Sequence, residues 1–359
     1  MIPRALKATA EADAQFVVRL SSAANDHSQK DAALVATSEG RALYSCQFGL
    51  FELEGVDSED LEGDVVLVNP SAGRAERLIR AGSSHNSLLV TERCDQLCIM
   101  CSQPPKKTHV DRFSLFTEAV LLAPKDCVIG ITGGEPTLFK DQLFGMLEHV
   151  AFARPDLRFQ VLTNGQHFEA ADIERLRHPA YRAVQWGIPL YAEQAELHDE
   201  IVGKSGAFAR LQQSFAHLII AGASVELRTV LLTTNLAELP RLARLVSSRL
   251  SFVGAWSIMQ LENIGFARNR WDQLYVDHST NFAAIAEALS IAALHGVNAR
   301  LFNFARCTVP AEFREYAIAS ISDWKRRYAQ ACSACSERRA CSGFFEWHPD
   351  PDAVGVSPL

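Results

Sequence analysis

The stretch TERCDQLCIMCSQPP, residues 91 to 105, places Cys94, Cys98 and Cys101 close together, spaced by three residues and then two, with no fourth cysteine nearby. Three thiolates fill three corners of a cubane iron–sulfur cluster and leave the fourth iron without a protein ligand, whereas a closed electron-transfer cluster takes four. An iron with an open position can bind and activate a substrate, as a catalytic metal does. A zinc ion held by Cys-x-x-Cys and a further ligand is the alternative, with His109 available downstream. Spacing alone does not separate the two.

Those thiols need elements to hold them. From residue 87 onward, short apolar runs alternate with helical patterns. SLLVTER leads into the cysteines. CVIGIT (127–132), RFQVLTN (158–164), AVQWGIPLY (183–191), VELRTVLL (225–232) and FVGAWSIMQ (252–260) follow as strand candidates, rich in β-branched and aromatic residues. SLFTEAVLLA, DQLFGMLEHVAFA, EAADIERLR, FARLQQSFAHLIIAG, LAELPRLARLVSSRL and NFAAIAEALSIAALHG carry helical periods between and after them. Six strands alternating with six helices predict an α/β fold, with a parallel sheet, right-handed crossovers and closure as an open or partial barrel. Chemistry in such sheets gathers at the C-terminal strand ends. The three-cysteine loop follows the first strand, and Gly133-Gly134-Glu135-Pro136 ends the second. Two glycines there let backbone approach a ligand, and the carboxylate beside them can accept from an ammonium group.

Residues 1–85 read differently. QFVVRL, AALVATS, ALYSCQFGLFEL and GDVVLVNP are short strand patterns with little helical period, predicting a small β-rich region. The whole chain of 359 residues is 48% hydrophobic and 21% charged, a composition that builds a core. A net charge of −7 gives no basic patch for nucleic acid or an anionic membrane. The opening residues MIPRALKATAEADAQF lack an apolar targeting segment, and no window reaches the roughly 18 apolar residues of a membrane span, so a soluble, cytoplasmic protein is expected. Nine cysteines, an odd count in a reducing compartment, argue against a disulfide framework. Cys46 and Cys127 stand alone among apolar residues and are expected to pack in the core. Cys307, Cys332, Cys335 and Cys341 form a second group, able to ligate one 4Fe–4S cluster fully or a structural zinc. The tail SGFFEWHPDPDAVGVSPL is expected to fray.

Cys94-x-x-x-Cys98-x-x-Cys101 followed by Gly133-Gly134-Glu135-Pro136 resembles the radical S-adenosylmethionine (SAM) superfamily over roughly residues 86–300. The resemblance implies a partial (β/α)6 barrel and a 4Fe–4S cluster on Cys94, Cys98 and Cys101. It implies that SAM chelates the fourth iron, with the GGEP backbone and Glu135 meeting its amino end. Reductive cleavage of SAM would then give a 5′-deoxyadenosyl radical that takes a hydrogen from the substrate. The ligand missing from the cysteine loop is, on this reading, the co-substrate. Met100 stands where the superfamily usually has an aromatic residue, and would pack against the adenine. Thr163-Asn164-Gly165 falls where a contact to the SAM methionine or ribose is implied, with a plain Asn-Gly turn as the alternative. Arg228, inside an apolar strand, would pair with the SAM carboxylate through its planar fork. Pro189 sits where many relatives offer a polar ribose ligand. His198 and Asp199 are expected in loop and helix-cap roles, and Glu262 either near the site or capping the next segment.

Cys307 with Cys332-x-x-Cys335-x5-Cys341 resembles part of the SPASM extension of peptide-modifying radical SAM enzymes, which implies one auxiliary 4Fe–4S cluster in preference to zinc. HNSLLVTERCDQLCIMCSQPPK, IPLYAEQAELHDEIVGKSGAF, LENIGFARN, SISDWK and CSGFF together resemble the HxsC-type radical SAM maturases of the His-Xaa-Ser system. The implied organisation is a small β-rich region over 1–85, a radical SAM partial barrel over 86–300 and a SPASM- or twitch-like extension over 301–359. The implied function is post-translational modification of a small ribosomal peptide carrying His-Xaa-Ser repeats. A reducing partner such as flavodoxin or ferredoxin and a second radical SAM protein would accompany it. A small-molecule substrate is the alternative, an RNA substrate is disfavoured by the acidic balance, and a non-catalytic zinc or iron–sulfur scaffold is disfavoured by the intact cysteine triad and GGEP.

Overall fold

The computed structural model describes residues 4–22, 30–351 and 355–359. By compactness the chain divides into two units, one of residues 1–91, 110–132 and 139–160, the other of residues 92–109, 133–138 and 161–359.

In the first unit, seven strands close into a barrel: β1 (Ala5–Ala10), β2 (Phe16–Ser21), β3 (Asp31–Ser38), β4 (Arg41–Cys46), β5 (Gly49–Glu54), β6 (Val65–Asn69) and β7 (Arg74–Ile79). Alternating side chains point inward, and Leu6, Phe16, Val18, Tyr44, Phe51 and Val68 belong to its core. β1 completes the closure, pairing antiparallel with β5 on one side and β7 on the other. Neither β1 nor β7 stands out in the sequence, because Lys7 in one and Arg74, Glu76 and Arg77 in the other interrupt the apolar signal. The fold satisfies the buried Arg77: its Nε donates to Asp64 Oδ2 at 2.6 Å and its Nη2 to Asp60 O at 2.6 Å.

A seven-stranded sheet runs in the order β14-β13-β12-β11-β10-β9-β8. Its members are β8 (Asn86–Thr91), β9 (Val128–Gly133), β10 (Arg158–Leu162), β11 (Val184–Pro189), β12 (Ser224–Val230), β13 (Ala255–Met259) and β14 (Ala299–Phe302). Six are the strands expected from the sequence. The seventh, β14, is an addition, since ARLF is four residues long and holds Arg300. The helices α1 (Phe113–Leu121), α2 (Lys140–Ala153), α3 (Ile173–Leu176), α4 (Ala195–Val202), α5 (Ala207–Ala221), α6 (Leu239–Arg249), α7 (Trp271–Leu274) and α8 (Ala283–Leu294) complete the alternation. From β11 to β14 the pairing is parallel and sets Pro189, Arg228, Ser257 and Arg300 side by side. β12 shows how the pattern works. Val225, Leu227 and Thr229 are buried on one face, the two aliphatics contributing about 1.5–3 kcal/mol each, while Glu226 and Arg228 share the other.

Neither solitary cysteine is fully buried, contrary to expectation. Cys46 packs only partly against the barrel core, and Cys127 is half-buried just before β9. The tail does not fray where it is described: Arg326–Arg327 (β15) and Phe344–Phe345 (β16) pair antiparallel. Among the described residues, no helix is long and apolar enough to cross a membrane.

Candidate functional site

The residues of the cysteine loop, of GGEP and of the strand ends that face them all belong to the second unit. Backbone groups fasten the loop on both sides. Leu97 N–H donates to Val202 O (3.0 Å) and Ile99 N–H to Ile201 O (2.9 Å) at the end of α4. Phe266 N–H donates to Cys101 O (2.8 Å), and Arg270 Nη1 to Ile99 O (2.9 Å). Gly203, at φ +65°, lies so close that a Cβ there would sit 2.6 Å from Leu97 O. Any larger residue would push the loop away. The loop's course is therefore fixed by groups other than its thiols.

The three thiols are all partly exposed. Burial raises Cys94 to about 11 and Cys98 to about 12, with Cys101 raised as well, and the thiols push on one another in the same direction. A thiol ligates a metal or cluster as thiolate, so a cluster placed here would displace the three protons.

The GGEP turn lies directly on the loop's entrance. A Cβ on Gly134 would fall 2.1 Å from Arg93 O, and Glu135 N–H donates to that same oxygen at 2.7 Å. The side chain of Glu135 turns inward and is fully buried. Its Oε1 accepts from Thr137 N (2.8 Å), Thr137 Oγ1 (2.5 Å) and Thr163 Oγ1 (2.7 Å), and its Oε2 from Asn164 N (2.5 Å). Three of these bonds fall on Oε1 and one on Oε2, and together they buckle GGEP to the end of β10. Burial raises its pKa and these bonds oppose the rise. Thr163 and Asn164 thus serve the buckle, and Gly165 takes φ +71° as a turn residue.

One cluster here was missed from the sequence. Asn164 Nδ2 donates to Asp95 Oδ1 (2.7 Å), Lys204 Nζ pairs with Asp95 Oδ2, and His167 Nε2 lies 3.3 Å from it. Although burial raises the Asp95 carboxyl, the hydrogen bonds from His167 and Lys204 hold it well below the usual carboxylate range. Lys204 stands 109 residues from Asp95, too far for any local pattern to connect them.

The other singled-out residues divide. Arg228 Nη1 donates to Glu226 Oε1 at 3.0 Å, Ser257 Oγ donates to the same oxygen at 2.6 Å, and the Phe302 ring lies 5.9 Å from the guanidinium. Glu226, two residues before Arg228 on one strand face, was the readable sign of that pair. Met100 is buried in a core with Tyr191, Leu232 and Leu261. His198 is buried within α4, accepts from Tyr191 N at 3.4 Å, and is lowered to about 4 by burial. Asp199 accepts from Gly206 N (2.5 Å) and Phe208 N (2.7 Å), a cap at the start of α5. Glu262, raised by burial, pairs with Lys325 Nζ at 3.3 Å. Pro189 ends β11 opposite Arg228.

The second cysteine group comes together in space. Cys307, Cys332, Cys335 and Cys341 line one cavity, with Tyr328 and Phe344 among its walls. Arg306 N–H and Gly343 N–H both donate to Cys341 Sγ at 3.3 Å. Among the described residues no group of three or more His, Cys, Asp and Glu side chains is placed to hold a metal ion.

The sheet, the cysteine loop after its first strand and the glycine-rich end of its second make this a partial radical SAM barrel fold. Among solved structures, Streptococcus suis SuiB bound to S-adenosylmethionine is similar at a TM-score of 0.51 and 13% identity, over 63% of this chain and 52% of that one. SuiB bound to precursor peptide SuiA gives 0.50 and 12%, over 63% and 50%. A radical SAM methyltransferase from Sphaerobacter thermophilus covers 75% of both chains at 14% identity and a TM-score of 0.44. The chain spans about half the length of SuiB. No protein-family model and no curated protein matches it.

Proposed function

We propose that this chain is a radical SAM enzyme that modifies a peptide. One observation carries the reading: three thiols fixed on a single loop, against a glycine-rich strand end, in a fold shared with SuiB. Cys94, Cys98 and Cys101 would hold a 4Fe–4S cluster, and the backbone of Gly133, Gly134 and Pro136 would face the amino end of SAM. Arg228 would face its carboxylate, with Glu226 holding the guanidinium in place. When bound, the cluster and SAM supply a one-electron reductant and the 5′-deoxyadenosyl radical that removes a substrate hydrogen. The chain's own residues set the stage. Glu135 locks GGEP to Thr163 and Asn164, Asp95 with Lys204 anchors the loop, and Met100 closes the apolar floor behind the cysteines.

The SuiB structure holding precursor peptide SuiA supports a peptide substrate, and the motifs shared with HxsC-type maturases support the His-Xaa-Ser type. Cys307, Cys332, Cys335 and Cys341 would hold an auxiliary 4Fe–4S cluster. A flavodoxin or ferredoxin in the cytoplasm would supply electrons, and a second radical SAM protein would act on the same peptide. Anaerobic reconstitution with iron and sulfide, followed by dithionite reduction, should give a brown protein that converts SAM to 5′-deoxyadenosine. Turnover should rise when a His-Xaa-Ser repeat peptide is added. A colourless protein that makes no 5′-deoxyadenosine sinks the proposal, and turnover indifferent to peptide moves the substrate to a small molecule.

A further inference from the structure

The four-cysteine cavity takes part of its wall from residues 355–359. Leu359 N–H donates to Cys335 Sγ at 3.5 Å, while Ser336 N–H (3.0 Å) and Ser336 Oγ (2.7 Å) both donate to Leu359 O. The backbone N–H of Ser357 hydrogen-bonds to the Cys307 sulfur. Val356 packs against the apolar group of Ala305, Ala329, Cys341 and Phe344. Residues 357 and 359 are two apart, so in an extended segment both N–H groups point the same way. Pro358 between them has no N–H to misdirect.

We propose that residues 355–359 are a strap that closes the four-cysteine site, positions Cys307 and Cys335, and raises the reduction potential of the cluster held there through the N–H groups of Ser357 and Leu359. This rests on the reading that the four thiols hold an iron–sulfur cluster. An N–H dipole aimed at a thiolate sulfur stabilises the extra negative charge of the reduced state, and hydrogen bonds to sulfur and exposure to water are two determinants of cluster potential. With four protein ligands and a strap across it, this site presents no iron to a substrate. It passes electrons or braces the extension, and bond-making on the peptide belongs to the three-cysteine site.

Two readouts test this on the full chain. In metal-free protein, iodoacetamide alkylation followed by peptide mass spectrometry should be about tenfold faster at Cys307 and Cys335 once residues 355–359 are deleted, with Cys94, Cys98 and Cys101 unchanged. In reconstituted protein, redox titration followed by electron paramagnetic resonance should show the auxiliary cluster shifted to lower potential in Ser357→Pro and Leu359→Pro. The expected shift is about tenfold in the one-electron equilibrium, roughly 59 mV. Ser357→Ala keeps its N–H and should leave the potential where it is. Unchanged alkylation after the deletion overturns the strap. Faster alkylation with an unchanged potential in both proline variants overturns the tuning. If the reconstituted wild type holds zinc at this site, the cluster reading fails and the alkylation arm still decides whether the strap exists.

Discussion

The two cysteine sites are held on different plans. At the first, the loop's peptide groups bond to distant parts of the chain, Leu97 and Ile99 to α4 and Phe266 N–H and the Arg270 guanidinium back to the loop, while the Cys94 sulfur takes its N–H from Gln96 inside the loop. At the second, backbone N–H groups run to the sulfurs themselves, at Cys341, Cys335 and Cys307. The first plan fixes where three thiols stand. The second wraps four thiols from short turns at Arg306–Thr308, Gln330–Ala334 and Arg338–Ala340. On the proposed reading, a site that must admit a co-substrate is held from behind, and a site that need only hold its contents is held around its rim.

Breaking the first plan should have the largest effect. Replacing Cys94, Cys98 and Cys101 together with Ala should abolish 5′-deoxyadenosine formation, a loss of more than about a hundredfold, because no cluster with an open iron can form. Continued product would end the assignment. Removing Cys307, Cys332, Cys335 and Cys341 together should lower bound iron by about four per chain and leave SAM binding intact, by metal analysis and equilibrium dialysis. Loss of one zinc at constant iron would instead show a structural ion.

Glu135 sharpens the contrast between a ligand and a buckle. Glu135→Ala strands Thr137 N–H, Thr163 Oγ1 and Asn164 N–H in a buried place, so the metal-free protein should lose about 3 kcal/mol of stability by chemical denaturation. Normal stability with weakened SAM binding would restore the direct contact.

Acid should act on the chain through buried histidines. Burial lowers His198, His278 and His348 to about 4, against roughly 6.5 in an unfolded chain. Between those values the unfolded state binds more protons, so stability is whole above pH 6.5 and falls as pH drops toward 4. Each histidine contributes about 1.4 kcal/mol per pH unit in that window. Denaturation midpoints from pH 7.5 to 4.5 should decline only below about 6.5, and a flat profile would mean the imidazoles charge without cost. Arg228→Lys is the smallest change expected. It keeps the charge and loses the fork, and should weaken SAM binding several-fold, about 1 kcal/mol, at constant iron. An unchanged dissociation constant would confine Arg228 to its pair with Glu226.

What was readable in the sequence was local. Cys94, Cys98, Cys101 and GGEP declare themselves by spacing, and six sheet strands by apolar runs. β14 escaped because Arg300 interrupts a four-residue strand, β1 because Lys7 breaks its apolar signal, and β7 because Arg74, Glu76 and Arg77 break its own. The hydrogen bonds of Glu135 escaped for a different reason. A carboxylate beside two glycines looks free until the chain brings Thr163 and Asn164 to it, 28 and 29 residues on. The pairing of Asp95 with Lys204 and the strap over Cys307 and Cys335 are long-range contacts of the same kind. Periodicity reports which way a side chain faces and is silent on what arrives to meet it.

The closure of the N-terminal barrel has a consequence for recruitment. An extended peptide often binds by adding itself as one more strand to an unpaired sheet edge, taking most of its affinity from main-chain hydrogen bonds and little from sequence. In a ring of seven strands each strand has two neighbours, and β1 spends its two edges on β5 and β7. A peptide meeting this region must therefore be gripped by exposed side chains, such as Val35 and Leu50. Grip of that kind reads the guest's own side chains, so the barrel could choose among guests but could not hold an arbitrary one.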